Sequence, residues 1–321
     1  MLESISILVC TRDRRDMLNA LLADLGKQDY AGQYEIIVVE ETDDPSPPAG
    51  VSYVPHPMLN KGIAFARNMA IEHATGDVVV FVDDDCRVSP DWLRRLVRPL
   101  EDAGVLGMQG GVTVPQETNA IGWAESVLGF PGGGVGRIHR ARGQLQDTIE
   151  VSTLNAAYRR SVIAEVGGFP VAARFGGEDY LLAKCVAGRG RLVFVPDAVV
   201  RHVARGSVPA IWHWFERRGM AEFELWRSGM APQDYGRWMI RSSLSIKLLP
   251  FVLLCWWSML PLLAMIALIV VSNMWRERWV VGSPEIPLAA WFWLPWVRML
   301  MAVGSDVGRV RAWLREGRDA R

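Results

Sequence analysis

The chain has 321 residues, enough for one large domain or one domain with a smaller appendage. Its 35 basic and 35 acidic residues cancel, which removes any whole-chain electrostatic case for a nucleic-acid partner. Cys10, Cys86, Cys185 and Cys255 are scattered without CxxC spacing or a histidine cluster, so they support neither a zinc site nor a disulfide framework, and reduced thiols in a cytosolic environment are expected.

Taken in chain order, the first hundred residues alternate strand and helix. The run Ile5 to Val9 predicts a strand that follows Met1 directly, with no secretory leader. Asp16 to Gln28 predicts a helix with Leu18, Leu21, Leu22 and Leu25 on one face. Glu35 to Val39 reads as a strand, Ile63 to Ala74 as a helix and Val78 to Val82 as a buried strand. Pro90 to Leu100 reads as a helix with Ser89 as its N-cap. Such alternation implies an α/β fold, with a mostly parallel sheet flanked by helices. The glycine-rich stretch from Gly129 to Gly136 and the basic run to Arg142 are expected to form a mobile loop. Further on come a helix at Arg160 to Glu165, another starting near Glu178, a strand at Arg191 to Val195 and an amphipathic helix at Trp212 to Arg227.

The last third differs in kind. Leu248 to Val271 is 24 residues without a charge, and residues 286–304 form a second apolar stretch that carries Arg298. Nine of the 14 tryptophans lie beyond residue 230, as expected where amphipathic rings sit at lipid headgroups. Pro250 and Pro261 interrupt the first stretch, which leaves a re-entrant or interfacial helix open beside a spanning one. Arg237, Arg241 and Lys247 precede it, and Arg309, Arg311, Arg315, Arg318 and Arg321 follow the second. A hairpin would hold both basic flanks, and the N-terminal domain with them, on the cytoplasmic face of the membrane. The expected division is therefore a domain over residues 1–230 and a membrane-associated helical segment over 231–321.

Three consecutive carboxylates, Asp83, Asp84 and Asp85, follow the strand Val78 to Val82 and so fall at its C-terminal end, where open α/β sheets bind ligands. Hard oxygen ligands there suit Mn²⁺ or Mg²⁺, with substrate phosphates as co-ligands, and a solvated acidic turn is the alternative.

These pieces resemble, in order over roughly residues 4 to 205, members of glycosyltransferase family two, which have the GT-A nucleotide-sugar fold. Thr11 and Arg12 stand at the opening strand's nucleotide-contacting turn, and Glu40 stands where relatives present an aspartate to the base. Asn60, Gly62 and Arg67 match the stretch that approaches the nucleotide from the side. The resemblance makes Asp83 and Asp85 the outer carboxylates of a DXD motif, with Asp84 beside the donor and His202 a third metal ligand. Glu178 and Asp179 match the family's ED motif, implying Asp179 as the base of an inverting transfer and Glu178 as the other candidate. Asn155 is implied to line the donor or acceptor pocket. The implied activity is transfer from a nucleotide-diphosphate sugar to a saccharide or lipid-linked acceptor in surface polysaccharide or glycolipid assembly. Polyprenyl-phosphate sugar synthases typically continue their acidic motif Asp-Ala-Asp-Leu-Gln, whereas this chain reads Asp-Asp-Asp-Cys-Arg, which favours a saccharide or glycolipid acceptor. Two readings from other classes are a haloacid-dehalogenase-type phosphatase, which also places aspartates after an apolar strand, and a membrane-tethered nucleotide-sugar binder without turnover.

Overall fold

A computed structural model describes residues 3–58, 60–173 and 176–319, with side chains as far as Glu316. Arg321 and the side chain of Arg318, part of the expected basic tail, lie outside the described residues. The N-terminal half runs β1 (Ile5–Thr11), α1 (Arg15–Leu25), β2 (Tyr34–Glu41), β3 (Ser52–His56), α2 (Ile63–His73), β4 (Val78–Val82), β5 (Cys86–Val88), α3 (Trp92–Val97) and β6 (Val105–Thr113). Next come α4 (Ala120–Val127), α5 (Gly134–Ala141), β7 (Gln146–Asp147), β8 (Asn155–Arg159), α6 (Arg160–Val166), α7 (Glu178–Ala187) and β9 (Arg191–His202). The C-terminal third is helical: α8 (Val208–Arg227), α9 (Tyr235–Ser242), α10 (Leu244–Leu254), α11 (Leu260–Arg276) and α12 (Leu288–Asp319).

The strands form one sheet in the order β3-β2-β1-β4-β8-β6-β9-β5, with β7 paired to β9. Its first four strands are parallel, as the alternating pattern requires. Beyond them the sheet is mixed, because β8 runs antiparallel to both β4 and β6 while β6 pairs parallel with β9. The chain leaves β1 toward β2 on one side and returns to β4 on the other, so a topological switch point lies at the C-terminal ends of β1 and β4. Side chains alternate through this sheet with period two. Ile5, Ile7, Val9, Val78, Val80 and Val82 pack in one cluster with α1 and α3, while Leu8, Val79 and Phe81 pack in the other with α2, α6 and α7.

Two compact units result: Met1–Thr113 with Pro131–Val203, which holds the whole sheet, and Val114–Phe130 with Ala204–Arg321. The boundary thus falls well before the expected residue 230. The reason is local: within the second unit, α8 packs tightly along α12, and Glu125 of α4 is paired with Arg205 in the segment that leads into α8. At the contact of α8 with α12, a Cβ on Gly219 would lie 2.0 Å from the Ser305 carbonyl, and one on Gly308 would lie 2.0 Å from the Glu216 carbonyl.

Other local expectations also shift. The Pro90 helix begins at Trp92, because the Ser89 hydroxyl donates to the Asp91 carboxylate at 2.6 Å instead of accepting a helix N–H. The stretch expected as a mobile loop contains α5, and Arg137 from it stacks over the Phe194 ring at 4.2 Å. The uncharged run 248–271 is not one helix: α10 ends at Leu254, Pro261 sits in the first turn of α11, and Trp256 and Trp257 lie in the break.

The two close helix contacts leave no room for a methyl group. Gly219→Ala should therefore destabilise the chain by about 1–3 kcal/mol, read as a lower urea midpoint, through overpacking of α8 on α12.

Candidate functional site

The C-terminal ends of β1, β2 and β4, the N-terminus of α7 and the end of β9 all belong to the sheet-bearing unit. The acidic turn after β4 is closed by Cys86 N–H donating to the Asp83 carbonyl, and Asp85 is tied to β9 by Val203 N–H on its carbonyl. Asp83 and Asp85 therefore share one side of the turn with His202, which pairs across the β5–β9 ladder opposite Cys86. One ligand atom from each of Asp83, Asp85 and His202 lies within 4.8 Å of the others.

The electronic state of this trio tests whether a cation fits. His202 Nδ1 sits 2.7 Å from the Val203 carbonyl oxygen, which can only accept, so Nδ1 carries a proton and Nε2 is the ring nitrogen turned toward the acidic turn. Nε2 then faces Asp85 Oδ1 at 3.2 Å, and that buried oxygen takes part in no hydrogen bond among the described residues. Two electron-rich atoms held so close require a cation or a proton between them. The other oxygen, Asp85 Oδ2, is held by Arg14 Nη1 at 3.1 Å, which fixes Oδ1 toward His202. Two carboxylates and one imidazole presented this way suit Mn²⁺ well and Mg²⁺ through the same oxygens.

Asp84, the middle carboxylate, has a different task. Thr11 Oγ1 donates to its Oδ2 at 2.6 Å, Arg14 Nη1 lies 3.2 Å from its Oδ1, and the side chain is buried. Burial pushes its carboxyl above the usual range, against the opposing effects of the Thr11 hydrogen bond and the Arg14 charge. Asp84 and Thr11 thus brace the turn from within. The Cys86 thiol beneath is likewise raised well above its ordinary value by burial and by its acidic neighbours, so it stays protonated.

Arg67 joins the two acidic motifs. Lying on α2, it donates to Glu178 Oε1 at 2.5 Å, and its Nη2 is 3.5 Å from Asp83 Oδ1, with little of either partner in the Arg67–Glu178 pair exposed. Glu178 Oε2 is buried without a hydrogen bond among the described residues. The guanidinium thus neutralises Glu178 and reaches Asp83. Asp179, one residue along, is partly exposed, and its Oδ1 accepts the Tyr180 N–H at 2.8 Å.

Two further residues of the expected site are buried. Asn155 is 0% exposed, and it gives Nδ2 to the carbonyls of Gly111 and Ala198 at 2.8 and 2.9 Å while its Oδ1 accepts from Trp92 Nε1 at 3.0 Å. It therefore ties strands together. Glu40 is 1% exposed and accepts from Tyr53 Oη at 2.5 Å, with Arg15 Nε at 3.5 Å, so its carboxylate is already committed. By contrast, Arg12 stays largely exposed, with Nη1 2.9 Å from Asn60 Oδ1 and 3.4 Å from Glu41 Oε2. Asn60 gives its backbone N–H to Glu41 at 2.8 Å and holds a left-handed φ of 49°, and Gly62 opens α2 at φ 86°. Glu41 and Arg14 went unremarked in the sequence; each is the charged partner of a motif residue, a role that one sequence does not reveal.

This sheet order, with an acidic turn at the switch point, defines a GT-A-type α/β fold. The chain aligns over 97% of its length with the solved structure of mannosyltransferase PcManGT from Pyrobaculum calidifontis, a complex with GDP-Man and Mn²⁺, covering 88% of that chain at 19% identity and a TM-score of 0.59. Residues 6–167 match the family model for glycosyl transferase family 2, and the chain belongs to that family. It is 30% identical over 218 residues to the succinoglycan biosynthesis protein ExoM of Rhizobium meliloti, covering 61% of this chain and 65% of that protein. It is 31% identical over 129 residues to the glucosyl-dolichyl phosphate glucuronosyltransferase of Haloferax volcanii, covering 39% of each. The chain thus spans less than two thirds of the length of either relative. Family membership removes the phosphatase reading.

Two outcomes test this geometry. Asp85→Ala should weaken Mn²⁺ binding about 100-fold and His202→Ala about 10- to 100-fold, measured by electron paramagnetic resonance titration without nucleotide. Arg67→Met should cost about 3–5 kcal/mol in urea unfolding, because it leaves Glu178 and Asp83 without their shared cation.

Proposed function

We propose that the chain is an inverting, metal-dependent glycosyltransferase that moves a sugar from a nucleotide-diphosphate donor to a saccharide or lipid-linked acceptor. The observation that carries this reading is the close approach of Asp85 Oδ1 and His202 Nε2, with Asp83 alongside, at the switch point of a sheet of this family. Asp83, Asp85 and His202 would hold Mn²⁺ or Mg²⁺. When bound, such an ion offsets the charge that develops on a departing diphosphate.

The chain's own residues divide the remaining work. Arg14 holds Asp85 in its ligating orientation, and Asp84 with Thr11 stiffens the turn. Arg12, Asn60 and Gly62 border the end of β1 and suit the nucleotide. Burial and the Arg67 ion pair keep Glu178 from acting on a hydroxyl, whereas Asp179 is partly exposed at the start of the same helix. Asp179 is therefore the base, taking the proton of the acceptor hydroxyl as its oxygen attacks the anomeric carbon opposite the leaving diphosphate. The expected pair of candidates reduces to one.

Likeness to a succinoglycan biosynthesis protein supports a role in surface polysaccharide assembly, and likeness to an enzyme named for a dolichyl phosphate substrate supports a lipid-linked acceptor. Attachment to the cytoplasmic face of a membrane through the C-terminal helices would bring the chain to a lipid-linked acceptor held in that membrane.

Asp179→Asn should leave Mn²⁺-dependent donor affinity unchanged and lower kcat by about 10²- to 10⁴-fold. The measurement pairs donor titration calorimetry with a sugar-transfer assay on lipid-extract acceptors. A weakened donor with normal turnover would remove the base assignment.

A further inference from the structure

The second unit carries a surface built for one leaflet of a bilayer. Along α10 and α11, the side chains of Leu249, Val252, Leu253, Leu260, Leu263, Leu268 and Val271 are exposed, and at the break between the helices Trp256 and Trp257 are 88% and 80% exposed. Phe292 and Trp296 on the first half of α12 are exposed as well. Scattered exposed leucines are ordinary, but a continuous run along two consecutive helices marks an interaction surface. Its edges are cationic: Arg237, Arg241 and Lys247 before or within α10, and Arg276 at the end of α11 with Arg278 just after it, are all exposed. An apolar centre with tryptophans and a basic margin matches anionic lipid headgroups over acyl chains.

Length and polarity decide how deep this surface goes. At 1.5 Å per residue, the 11 residues of α10 reach about 16 Å and the 17 of α11 about 26 Å, while a hydrocarbon core is about 30 Å thick. Neither crosses alone, and the break at Trp256 prevents them from crossing as one. Among the described residues, the one helix that passes by length and composition is Leu288–Glu316 of α12, and 39% of its most apolar window is buried in the protein. Its second half holds Asp306, which accepts the Ser245 N–H at 2.9 Å, and Arg309, which pairs with Glu222 at 2.6 Å. Alongside it runs α8, with Arg217 and Arg218 exposed. That stretch cannot sit in hydrocarbon. Arg298 is also accounted for by an ion pair with buried Glu277 at 3.1 Å.

We propose that the chain is monotopic: α10, the Trp256-Trp257 turn, α11 and the first half of α12 enter one leaflet of an anionic bilayer and return, with no residue crossing it. This deepens the membrane attachment proposed above, and it needs neither donor nor metal. Both basic margins then lie on the same side as the catalytic unit, as the hairpin arrangement of charge requires.

The test adds the full chain, without nucleotide or metal, to sealed vesicles of phosphatidylcholine with or without about 30% phosphatidylglycerol. Co-sedimentation is followed by trypsin applied from outside, with cleavage after Arg276 and Arg278 read by mass spectrometry. Monotopic attachment predicts binding that rises with phosphatidylglycerol, at least tenfold weaker binding for the W256A/W257A double variant, and cleavage after Arg276 and Arg278 in intact vesicles and in detergent alike. Cleavage only after detergent lysis would mean that α11 crosses, and would overturn the proposal. Failure to sediment with pure lipid would overturn it too and would point to a protein as the occupant. Since vesicle binding is read without sugar transfer, either result leaves the glycosyltransferase reading to its own test.

Discussion

The site rests on the crowding of like charge. Four carboxylates, those of Asp83, Asp84, Asp85 and Glu178, are gathered where β1, β4 and α7 end, and two arginines hold them there. Arg67 is buried between Glu178 and Asp83, so the two acidic motifs, 95 positions apart by residue number, form one electrostatic unit. Arg14 does the same for Asp84 and Asp85 from the loop after β1. Beside these guanidiniums, Asp85 Oδ1 faces His202 Nε2 at 3.2 Å without a hydrogen bond among the described residues, and a cation is favoured there.

The arrangement also separates groups that look alike in the sequence. Asp84 is buried and its carboxyl titrates above the usual range because burial disfavours its charge, while Asp85 keeps one oxygen directed at His202. Glu178 is closed off by Arg67, and its neighbour Asp179 is partly exposed. Neighbouring residues therefore take different roles, brace against ligand in one motif and structural anion against base in the other, set by which way each faces.

Much of the first unit was legible because its signals are short-range. Val78 to Val82 could only be a buried strand, and the acidic run after it could only fall at the sheet's ligand-binding end. What stayed hidden depends on contacts distant in sequence. Asn155 looked like a polar pocket residue, yet Trp92, Gly111 and Ala198 take up its hydrogen-bonding groups. Arg67 looked like a donor contact because nothing near it in sequence reveals Glu178, 111 positions away. The β8 reversal escaped because direction is not encoded in the alternation of apolar residues. In the C-terminal third, the sequence showed an apolar stretch with two prolines but not that it breaks at Trp256 and Trp257 while Pro250 stays within α10, nor that α8 binds the end of α12 with buried ion pairs.

The claim on which all this turns is that the end of β4 and the end of β9 make a cation site. Crystals soaked in Mn²⁺ and measured at the manganese absorption edge test it directly. The account predicts one anomalous peak within coordination distance of Asp83, Asp85 and His202. A peak elsewhere, or His202 still facing Asp85 with no ion between them at saturating Mn²⁺, would contradict it.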